Sequence, residues 1–348
     1  MKTIIENINI AAITAYLPEK RLELTSLVDS YGENEVINII KTTGIERVRI
    51  ADESQTSSDM CFNAAQYLIE KEKIDRREID GLVFVSQTTD YIIPSTSIIL
   101  QDRLKLSKET GCIDIHYGCS GYIYGLFQAA LWISSGACNK VLVLSGDTTT
   151  RMINSKDKSL KMVFGDCGTA TLVTKGNSPI GFEVYSDGSG YDRLIIPAGG
   201  FRNPISEKTK ELVIDEDNNG RTLENLYMDG MAIFNFAISN VHQNINSLIE
   251  QMKWKKDEVK LYALHQANNF MVNYIRKKLK VDEFKVPMNV TNYGNTGPAT
   301  IPLLLSDIYS SKPSNLDKVI MSGFGVGLSW GSAACNMSNT HFYEPINK

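Results

Sequence analysis

The sequence predicts an α/β protein made of two similar halves, residues 1–176 and 177–348, and three observations support this prediction. Short apolar runs such as LVFVS and VLVLSG alternate with helical stretches, a pattern typical of a mainly parallel sheet. Three segments recur in the same order, about 180 residues apart. A chain of 348 residues also exceeds the usual size of one compact domain.

The internal repeat consists of two strand-like segments and one glycine-containing turn, each present in both halves. Because their order is the same, the halves are expected to have the same fold and to pack face to face. The pairs are EIDGLVFVSQ (78–87) with EVKLYALHQ (258–266), KVLVLSG (140–146) with KVIMSG (318–323), and YGCSG (117–121) with YGNTG (293–297).

Each half ends in a glycine-rich segment, FGDCGTATLV (164–173) or GFGVGLSWGSAAC (323–335). Their small residues and turn signals favour adjacent antiparallel strands. The second segment is not a dinucleotide-binding loop, because such a loop must open a helix and SWGSAAC reads as a strand. A turn that brings backbone N–H groups close to an oxyanion fits these glycines better.

The repeat places Cys119 and Asn295 at equivalent positions. Each follows a strand-like run and a glycine, and each precedes an apolar helical stretch, at 121–135 or 299–309. We therefore expect both residues at helix starts, facing one shared pocket. The unpaired N–H groups and dipole of a helix N-terminus favour a thiolate, so Cys119 is the candidate nucleophile among six cysteines.

His265 ends the strand-like run LYAL and comes directly before a predicted helix. The carboxyl end of a strand beside a crevice is a common place for catalytic groups in α/β sheets. His265 is therefore the candidate catalytic histidine, whereas His116, His242 and His341 are expected to be structural.

Composition excludes several classes of protein. The chain is 43% hydrophobic and 22% charged, as in ordinary globular proteins, and its net charge of −4 without a basic stripe argues against nucleic-acid binding. The N-terminal segment lacks the basic and apolar regions of a signal peptide, and no stretch has the length and hydropathy of a membrane span. Cysteine and histidine spacings show no metal-ligand pattern. The six cysteines lack the short spacings of a disulfide framework, which favours free thiols and a cytoplasmic location.

Over essentially its whole length, the sequence resembles the ketoacyl-acyl-carrier-protein synthase III family of thiolase-fold condensing enzymes. The resemblance lies in an ordered set of motifs, of which any one alone is weak. These are TGIER (43–47), PS (94–95), GCSG (118–121), FGD (164–166), SDGS (186–189), HQAN (265–268), GNTG (294–297) and GFGVGLSWG (323–331).

This resemblance implies a thiolase-like fold, with two pseudo-symmetric βαβαβαββ halves packed as αβαβα layers. It implies a homodimer that needs no cofactor and that uses acyl-coenzyme A and malonyl-acyl carrier protein as substrates. Cys119 would carry the acyl group, His265 and Asn295 would stabilise the enolate formed on decarboxylation, and the backbone N–H groups of Cys119 and Val326 would hold the oxyanion.

The family pattern also suggests residues that bind the thioester substrates. Lys158, Asn268, Gly230, Asn38 and Thr42 are assigned to substrate or coenzyme A binding. Three of these depart from the pattern. Asn38 and Thr42 stand where the family commonly has the Trp and Arg that clamp the adenine, and Lys158 stands where another Arg often helps.

Ile93 aligns with a position that typically reaches across the dimer to line the acyl tunnel of the partner. Phe270 stands where an Arg often docks the carrier protein, and the basic residues of segment 276–280 follow it. Such a charge run is by default a solvated helix face. The polar segment 201–225 is expected to form loops or a short excursion near the tunnel mouth.

Other functions remain open at this point. An acyltransferase or thioesterase on the same scaffold would load Cys119 but use an alcohol, an amine or water as acceptor. A hydroxymethylglutaryl-type condensation needs a carboxylate base beside the cysteine, and the repeat motifs show none. A non-catalytic partner of a heteromeric complex would be expected to lack the nucleophile.

Overall fold

The structure is a computed structural model that describes residues 1–311 and 315–347. Its strands supply one long mixed sheet and three small two-stranded sheets. The strands are β1 (Lys2–Tyr16), β2 (Arg21–Glu23), β3 (Arg47–Arg49), β4 (Gly81–Val85), β5 (Gly111–Ile115), β6 (Lys140–Asp147), β7 (Cys167–Lys175), β8 (Ser178–Ser186), β9 (Leu194–Ile195), β10 (Val213–Ile214), β11 (Gly220–Arg221), β12 (Tyr227–Met228), β13 (Leu261–Leu264), β14 (Val319–Gly325), β15 (Ser329–Cys335) and β16 (His341–Phe342).

The helices vary from one turn to more than five turns, and several short 3₁₀ turns lie between them. They are α1 (Val28–Tyr31), α2 (Glu33–Thr43), α3 (Ser57–Glu72), α4 (Thr96–Arg103), α5 (Gly121–Ser134), α6 (Lys158–Lys161), α7 (Gly230–Gln251), α8 (Asn269–Leu279), α9 (Val290–Tyr293) and α10 (Thr300–Tyr309).

The main sheet has the order β13-β14-β15-β8-β1-β7-β6-β4-β5, and β16 also pairs with β1. The repeated strands pair in parallel, β4 with β6 and β13 with β14, as the alternating pattern predicts. The two glycine-rich segments form the expected antiparallel neighbours, since β7 pairs with β6 and β15 pairs with β14. Residues of β4 are all buried, which is why its sequence, GLVFV, is continuously apolar.

The layers follow from which strands each helix contacts. Helix α5 packs between β4 and β6 on one side and β14 and β15 on the other, and α10 also contacts both parts of the sheet. Helix α3 covers β1, β6 and β7, whereas α7 covers β8, β14 and β15. This arrangement is the expected αβαβα layering, with separate apolar cores around α3, α5 and α7.

The long strand β1 joins the two parts of the sheet. Its first residues pair with β8 and its later residues pair with β7, with a register shift between Ile5 and Ile8. The predicted boundary between residues 176 and 177 falls in the short connection between β7 and β8. Division into two halves at that boundary stays a prediction, because β1 hydrogen-bonds to strands on both sides of it.

Local sequence signals fix the ends of the helices that frame the site. Thr56 and Asp59 form a reciprocal capping box at the start of α3. Asp229 and Asn268 cap α7 and α8 by accepting hydrogen bonds from Ala232 N–H and Met271 N–H. The starts of α7 and α8 are thereby held where they contribute to the cavities described below.

Candidate active site

Cys119 lies between the edge strand β5 and helix α5, and its side chain is buried. The backbone N–H groups of Cys119 and Val326 face its sulfur closely enough to lower the pKa of the thiol. Strand β14 approaches closely because it carries glycines: a Cβ at Gly325 would stand 2.9 Å from Cys119 Sγ, and one at Gly323 would stand 2.6 Å from the Cys119 carbonyl oxygen. The two N–H groups are therefore placed to stabilise negative charge next to this sulfur.

The resting form of Cys119 is the thiol. Burial, together with the Asp147 carboxylate, raises the pKa of Cys119 to about 12, although the two N–H groups act in the opposite direction. The expected preference for a thiolate from the helix N-terminus is therefore outweighed by burial. Thiolate would form transiently, as the acyl donor is attacked.

His265 follows β13 and is almost completely buried. Burial lowers its pKa to about 3, so the imidazole is neutral near pH 7. Nδ1 lies 2.7 Å from Thr300 Oγ1, and the Phe324 ring packs edge-on against the imidazole. The Thr300 hydroxyl can donate to Nδ1 or to the Gly297 carbonyl at 3.2 Å, and donation to Nδ1 leaves the imidazole hydrogen on Nε2.

Asn295 is held rigidly by its own backbone and by its side-chain oxygen. Its N–H donates to the Val163 carbonyl at 2.8 Å, and its carbonyl accepts from Gly165 N–H at 3.0 Å. Oδ1 accepts from Gly297 N–H at 3.0 Å, which leaves the side-chain NH₂ as the free donor. The expectation that Asn295 follows a strand is wrong, because helix α9 precedes it and Gly294 turns the chain at φ +67°.

One cavity of about 100 Å³, which we call the small cavity, brings the three predicted catalytic side chains together. It is lined by Cys119, His265 and Asn295, as well as by Asn268 and Gly230. The expectation of a shared pocket is thus met, and two of the five predicted substrate-binding residues lie in it.

The other three predicted substrate-binding residues lie elsewhere. Asn38, Thr42 and Lys158 line a separate cleft of about 490 Å³, the outer cleft, which shares Val163 with the small cavity. Segment 216–219 of the polar excursion also lines this cleft, and its position near a tunnel mouth stays a prediction.

The outer cleft is acidic. Lys158 Nζ lies 3.4 Å from a Glu35 carboxylate oxygen, and Glu216 and Asp217 also line the cleft. The excursion is anchored there because Arg221 pairs with Asp157 at 2.9 Å. The one lysine of the cleft is thus already paired with a carboxylate, which disfavours a phosphate-rich ligand.

Ile93 does not line these cavities, and its side chain is 83% exposed. It lies next to Ile92, which is 78% exposed, in the segment between β4 and α4. Such a position is compatible with the expectation that Ile93 reaches a second copy of the chain.

A second cavity beside Cys119 has a volume of about 380 Å³, and we call it the large cavity. It corrects two expectations. His116, expected to be structural, lines this cavity, and so does the carboxylate of Asp147, although no carboxylate was expected beside the cysteine. The available sequence signal was that Asp147 directly follows the repeated segment KVLVLSG, at the position where the second half has Phe324.

Three further features concern metal ions, membranes and disulfides. Among the described residues, no group of three His, Cys, Asp or Glu side chains could hold a metal ion. In the same part of the chain, no helix combines the length and the apolar character needed to cross a membrane. All six cysteines are free thiols.

Comparison with known proteins places the chain among condensing enzymes. Two family models match, that of 3-oxoacyl-[acyl-carrier-protein (ACP)] synthase III at residues 113–188 and that of its C-terminal region at residues 249–337. A putative 3-oxoacyl-[acyl-carrier-protein] synthase 3 of Campylobacter jejuni is 34% identical over 346 residues, covering 98% of this chain and 97% of that protein. A beta-ketoacyl-[acyl-carrier-protein] synthase III of Streptococcus gordonii is 33% identical, covering 93% and 97%.

Solved structures agree with these sequence matches. The crystal structure of a 3-oxoacyl-(acyl-carrier protein) synthase from Burkholderia xenovorans superposes with a TM-score of 0.92 at 33% identity. The alignment covers 100% of this chain and 99% of that one. Fold and sequence relationships therefore extend over both halves.

Proposed function

Because the chain belongs to the 3-oxoacyl-[acyl-carrier-protein] synthase III family, we propose that it joins an acyl group carried on Cys119 to a malonyl unit by decarboxylative condensation. The observation that supports this most is the convergence of Cys119, His265 and Asn295 in one small cavity. The side chains of His265 and Asn295 can supply hydrogen-bond donors to that cavity, and the backbone N–H groups of Cys119 and Val326 act on the Cys119 sulfur at its edge.

In the first half-reaction, the Cys119 sulfur attacks the carbonyl carbon of an acyl thioester. The new S–C bond forms, the S–C bond to the donor breaks, and the departing thiolate takes the Cys119 proton and leaves as a thiol. The N–H groups of Cys119 and Val326 hold the oxyanion of the tetrahedral intermediate, a contribution of about 3 kcal/mol per donor in comparable sites.

In the second half-reaction, malonyl-acyl carrier protein takes the place of the departed thiol. His265 Nε2–H and the Asn295 NH₂ donate to its thioester carbonyl and stabilise the enolate that forms as CO₂ leaves. The enolate carbon attacks the acyl carbonyl, the Cys119 sulfur leaves and regains a proton, and a 3-oxoacyl thioester is released. These steps use no cofactor.

Carrier-protein docking is proposed for the exposed face of α8, which begins next to the small cavity. Lys277, Lys278 and Lys280 are exposed there, and Phe270 is 53% exposed and stacks on Phe234. An acidic carrier would meet these lysines. Changing Lys277 and Lys278 to Glu should raise KM for malonyl-acyl carrier protein and leave KM for malonyl-pantetheine unchanged; equal effects on both would contradict the docking proposal.

A homodimer is proposed through the sheet edge at β5. This strand ends the main sheet, and Ile113 on it is exposed, as is the Ile92–Ile93 pair nearby. His116 follows β5, is exposed in the single chain and lines the large cavity, so a second copy at this edge would help to close that cavity. Light scattering should give a dimer for the wild type and a monomer for Ile113→Lys.

The free cysteines fit a cytoplasmic location, which we propose on the basis of thiol chemistry.

The central experiment measures intact-protein mass after exposure to acyl thioesters, with and without malonyl-acyl carrier protein. Wild-type protein should gain one acyl group, which is lost as a 3-oxoacyl product appears on the carrier. Cys119→Ala should gain none, whereas Cys112→Ala, the matched control on β5, should behave as wild type.

Other outcomes separate the alternatives. An adduct that malonyl carrier leaves untouched would favour an acyltransferase or thioesterase that uses another acceptor. No adduct from acyl-coenzyme A and acyl-carrier donors alike would contradict the proposed function.

A further inference from the structure

The large cavity beside Cys119 is lined by two kinds of side chain. One set is apolar, as an acyl chain requires, and the other, which we call the polar wall, consists of polar side chains. The apolar residues are Met152, Phe164, Leu194, Ile195, Ile196 and Leu226, and the polar ones are Gln87, His116, Asp147 and Thr149.

Asp147 is the strongest feature of the polar wall, because it is 1% exposed and only one of its oxygens is used. Oδ1 accepts hydrogen bonds from the Ser86 hydroxyl at 2.8 Å, from Gln87 N–H at 2.7 Å, and from the N–H and hydroxyl of Thr88 at 3.2 and 3.1 Å. Within residues 1–311 and 315–347, no hydrogen bond reaches Oδ2. Since the protein supplies no donor to Oδ2 and Asp147 lines the cavity, its donor must come from whatever occupies the cavity, either water or a ligand.

Oδ2 also lies next to the segment that carries Asn295. A Cβ at Gly297 would stand 3.0 Å from Oδ2, and Gly297 N–H is the donor that orients Asn295. The Asp147 carboxylate is also close enough to Cys119 to raise the pKa of the thiol. Oδ2 is thus adjacent to the space that an acyl group on Cys119 would occupy.

The other polar side chains of this wall are likewise unpaired. Gln87 Oε1 lies so close to Gly118 that a Cβ there would be 2.2 Å away, which places the carboxamide beside the residue preceding Cys119. In the described part of the chain, neither this carboxamide nor the Thr149 hydroxyl nor the His116 imidazole forms a hydrogen bond. Their donors and acceptors remain available to a ligand in the cavity.

We propose that the acyl group loaded on Cys119 carries a hydroxyl, which donates a hydrogen bond to Asp147 Oδ2 and accepts one from Gln87 or Thr149. This inference rests on the proposed function and specifies its acyl substrate as a short hydroxyacyl thioester. A plain alkyl chain fills the same space but leaves Oδ2 without a donor. A site built to bind a hydroxyl discriminates strongly against the analogue that lacks it.

The test compares acyl-pantetheine thioesters of equal size, with the Cys119 adduct followed by intact mass. The pairs are 3-hydroxybutyryl with 3-methylbutyryl and 4-hydroxybutyryl with pentanoyl. We expect kcat/KM for loading to be at least about tenfold higher for the hydroxyl member of one pair. Equal or faster loading of the alkyl member in both pairs would overturn the proposal, and so would faster loading of 3-aminobutyryl than of either hydroxyacyl thioester.

Asp147→Asn sharpens the test, because its oxygen can still accept at Oδ1 while an NH₂ donor replaces Oδ2. The hydroxyl-to-alkyl rate ratio should fall at least about fivefold, as a site loses its selectivity when the matching polar atom is replaced. The matched control is Asp80→Asn. The Asp80 carboxylate accepts hydrogen bonds from Asn139 N–H and Lys140 N–H at the other end of β6, so this substitution should leave the ratio unchanged.

If Asp147→Asn does not fold, Gln87→Met and Thr149→Val test the same wall. At least one should lower the ratio, and an unchanged ratio in both would overturn the proposal. Failure of this inference is distinguishable from failure of the proposed function: adducts form equally from both members of a pair in the first case, and from no thioester in the second.

Discussion

The buried cavities around Cys119 and the outer cleft around Lys158 are built in opposite ways. Around Cys119, backbone N–H groups, glycines and fully buried side chains leave little freedom. The outer cleft is lined mostly by exposed or half-buried side chains, with Glu35 beside Lys158 and Glu216 on a surface excursion. In the proposed function, the chemistry would therefore depend on main-chain geometry, whereas binding of the thioester carrier in the outer cleft would depend on side chains that can change without disturbing the fold.

The largest effect should come from filling the space next to the sulfur. Gly325→Ala would place a Cβ 2.9 Å from Cys119 Sγ, displacing the thiol from the two N–H groups. We expect Cys119 acylation to slow by about 100-fold, since a displacement near 1 Å can cost that much. The control is Gly188→Ala, where a Cβ meets nothing within 4 Å. Normal acylation of Cys119 in Gly325→Ala would show that β14 does not restrict the position of the sulfur.

Acid should destabilise the protein through His265. Its folded pKa is about 3, below the ordinary value of 6.5, so only the unfolded state binds this proton between those values. The free energy of unfolding therefore falls as pH falls below 6.5, by up to about 1.4 kcal/mol per pH unit from this group. In urea unfolding at pH 7, 6 and 5, the free energy of unfolding should fall more steeply with falling pH for the wild type than for His265→Asn.

Asp147 changes the free energy of unfolding in the opposite direction over part of that pH range. Burial raises its pKa to about 6, so between its unfolded value near 3.8 and pH 6 the folded state holds more protons and this group favours folding as pH falls. The comparison with His265→Asn cancels this contribution, because both proteins contain Asp147. Parallel pH dependences would mean that His265 is not kept neutral.

A smaller effect is expected from the residue that orients the imidazole. Thr300→Val removes the partner of His265 Nδ1 at 2.7 Å, so the tautomer with hydrogen on Nε2 loses its support. Condensation should slow about tenfold, the equivalent of roughly 1.4 kcal/mol, while acylation of Cys119 changes less. Thr110→Val, which loses a buried hydrogen bond to the Ile79 carbonyl far from the site, is the control; equal slowing of both steps in Thr300→Val would contradict a positioning role.

The smallest effect is expected in the outer cleft. Neutralising Glu216 and Asp217 together, by Gln and Asn, should raise kcat/KM for acyl-coenzyme A by about threefold and leave the acyl-pantetheine value unchanged. The reason is that partly exposed charges repel phosphates only weakly. An equal change for both donors would show that the cleft does not discriminate through charge.

Several parts of this protein could be predicted from local sequence. Alternation of LVFVS-type strands with helices, the repeat, and the placement of Cys119 and Asn295 in it pointed to α/β layers and to a shared pocket. Strand pairing, the layers and the small cavity agree with those predictions. Repeats and apolar periodicity carry such information because the pattern of apolar residues in a segment depends on the secondary structure and burial of that segment.

Other parts could not be predicted in this way. Helix α9 replaces the expected strand before Asn295, and His116 and Asp147 enter the large cavity although neither was expected beside the cysteine. Burial also reverses the expected charge state of Cys119. Each depends on which distant segments surround a side chain, which a local pattern does not specify.

The sequence by itself determined the layered α/β fold, the family and the chemical identity of the candidate nucleophile, histidine and asparagine. Only the tertiary structure decided that Asp147 has one saturated and one free oxygen, that Thr300 orients His265, and that Glu35 pairs with Lys158. The physical reason is that motifs follow from neighbours along the chain. Hydrogen-bond partners, desolvation and electrostatic fields instead come from residues tens to hundreds of positions away, brought together only when the layers pack.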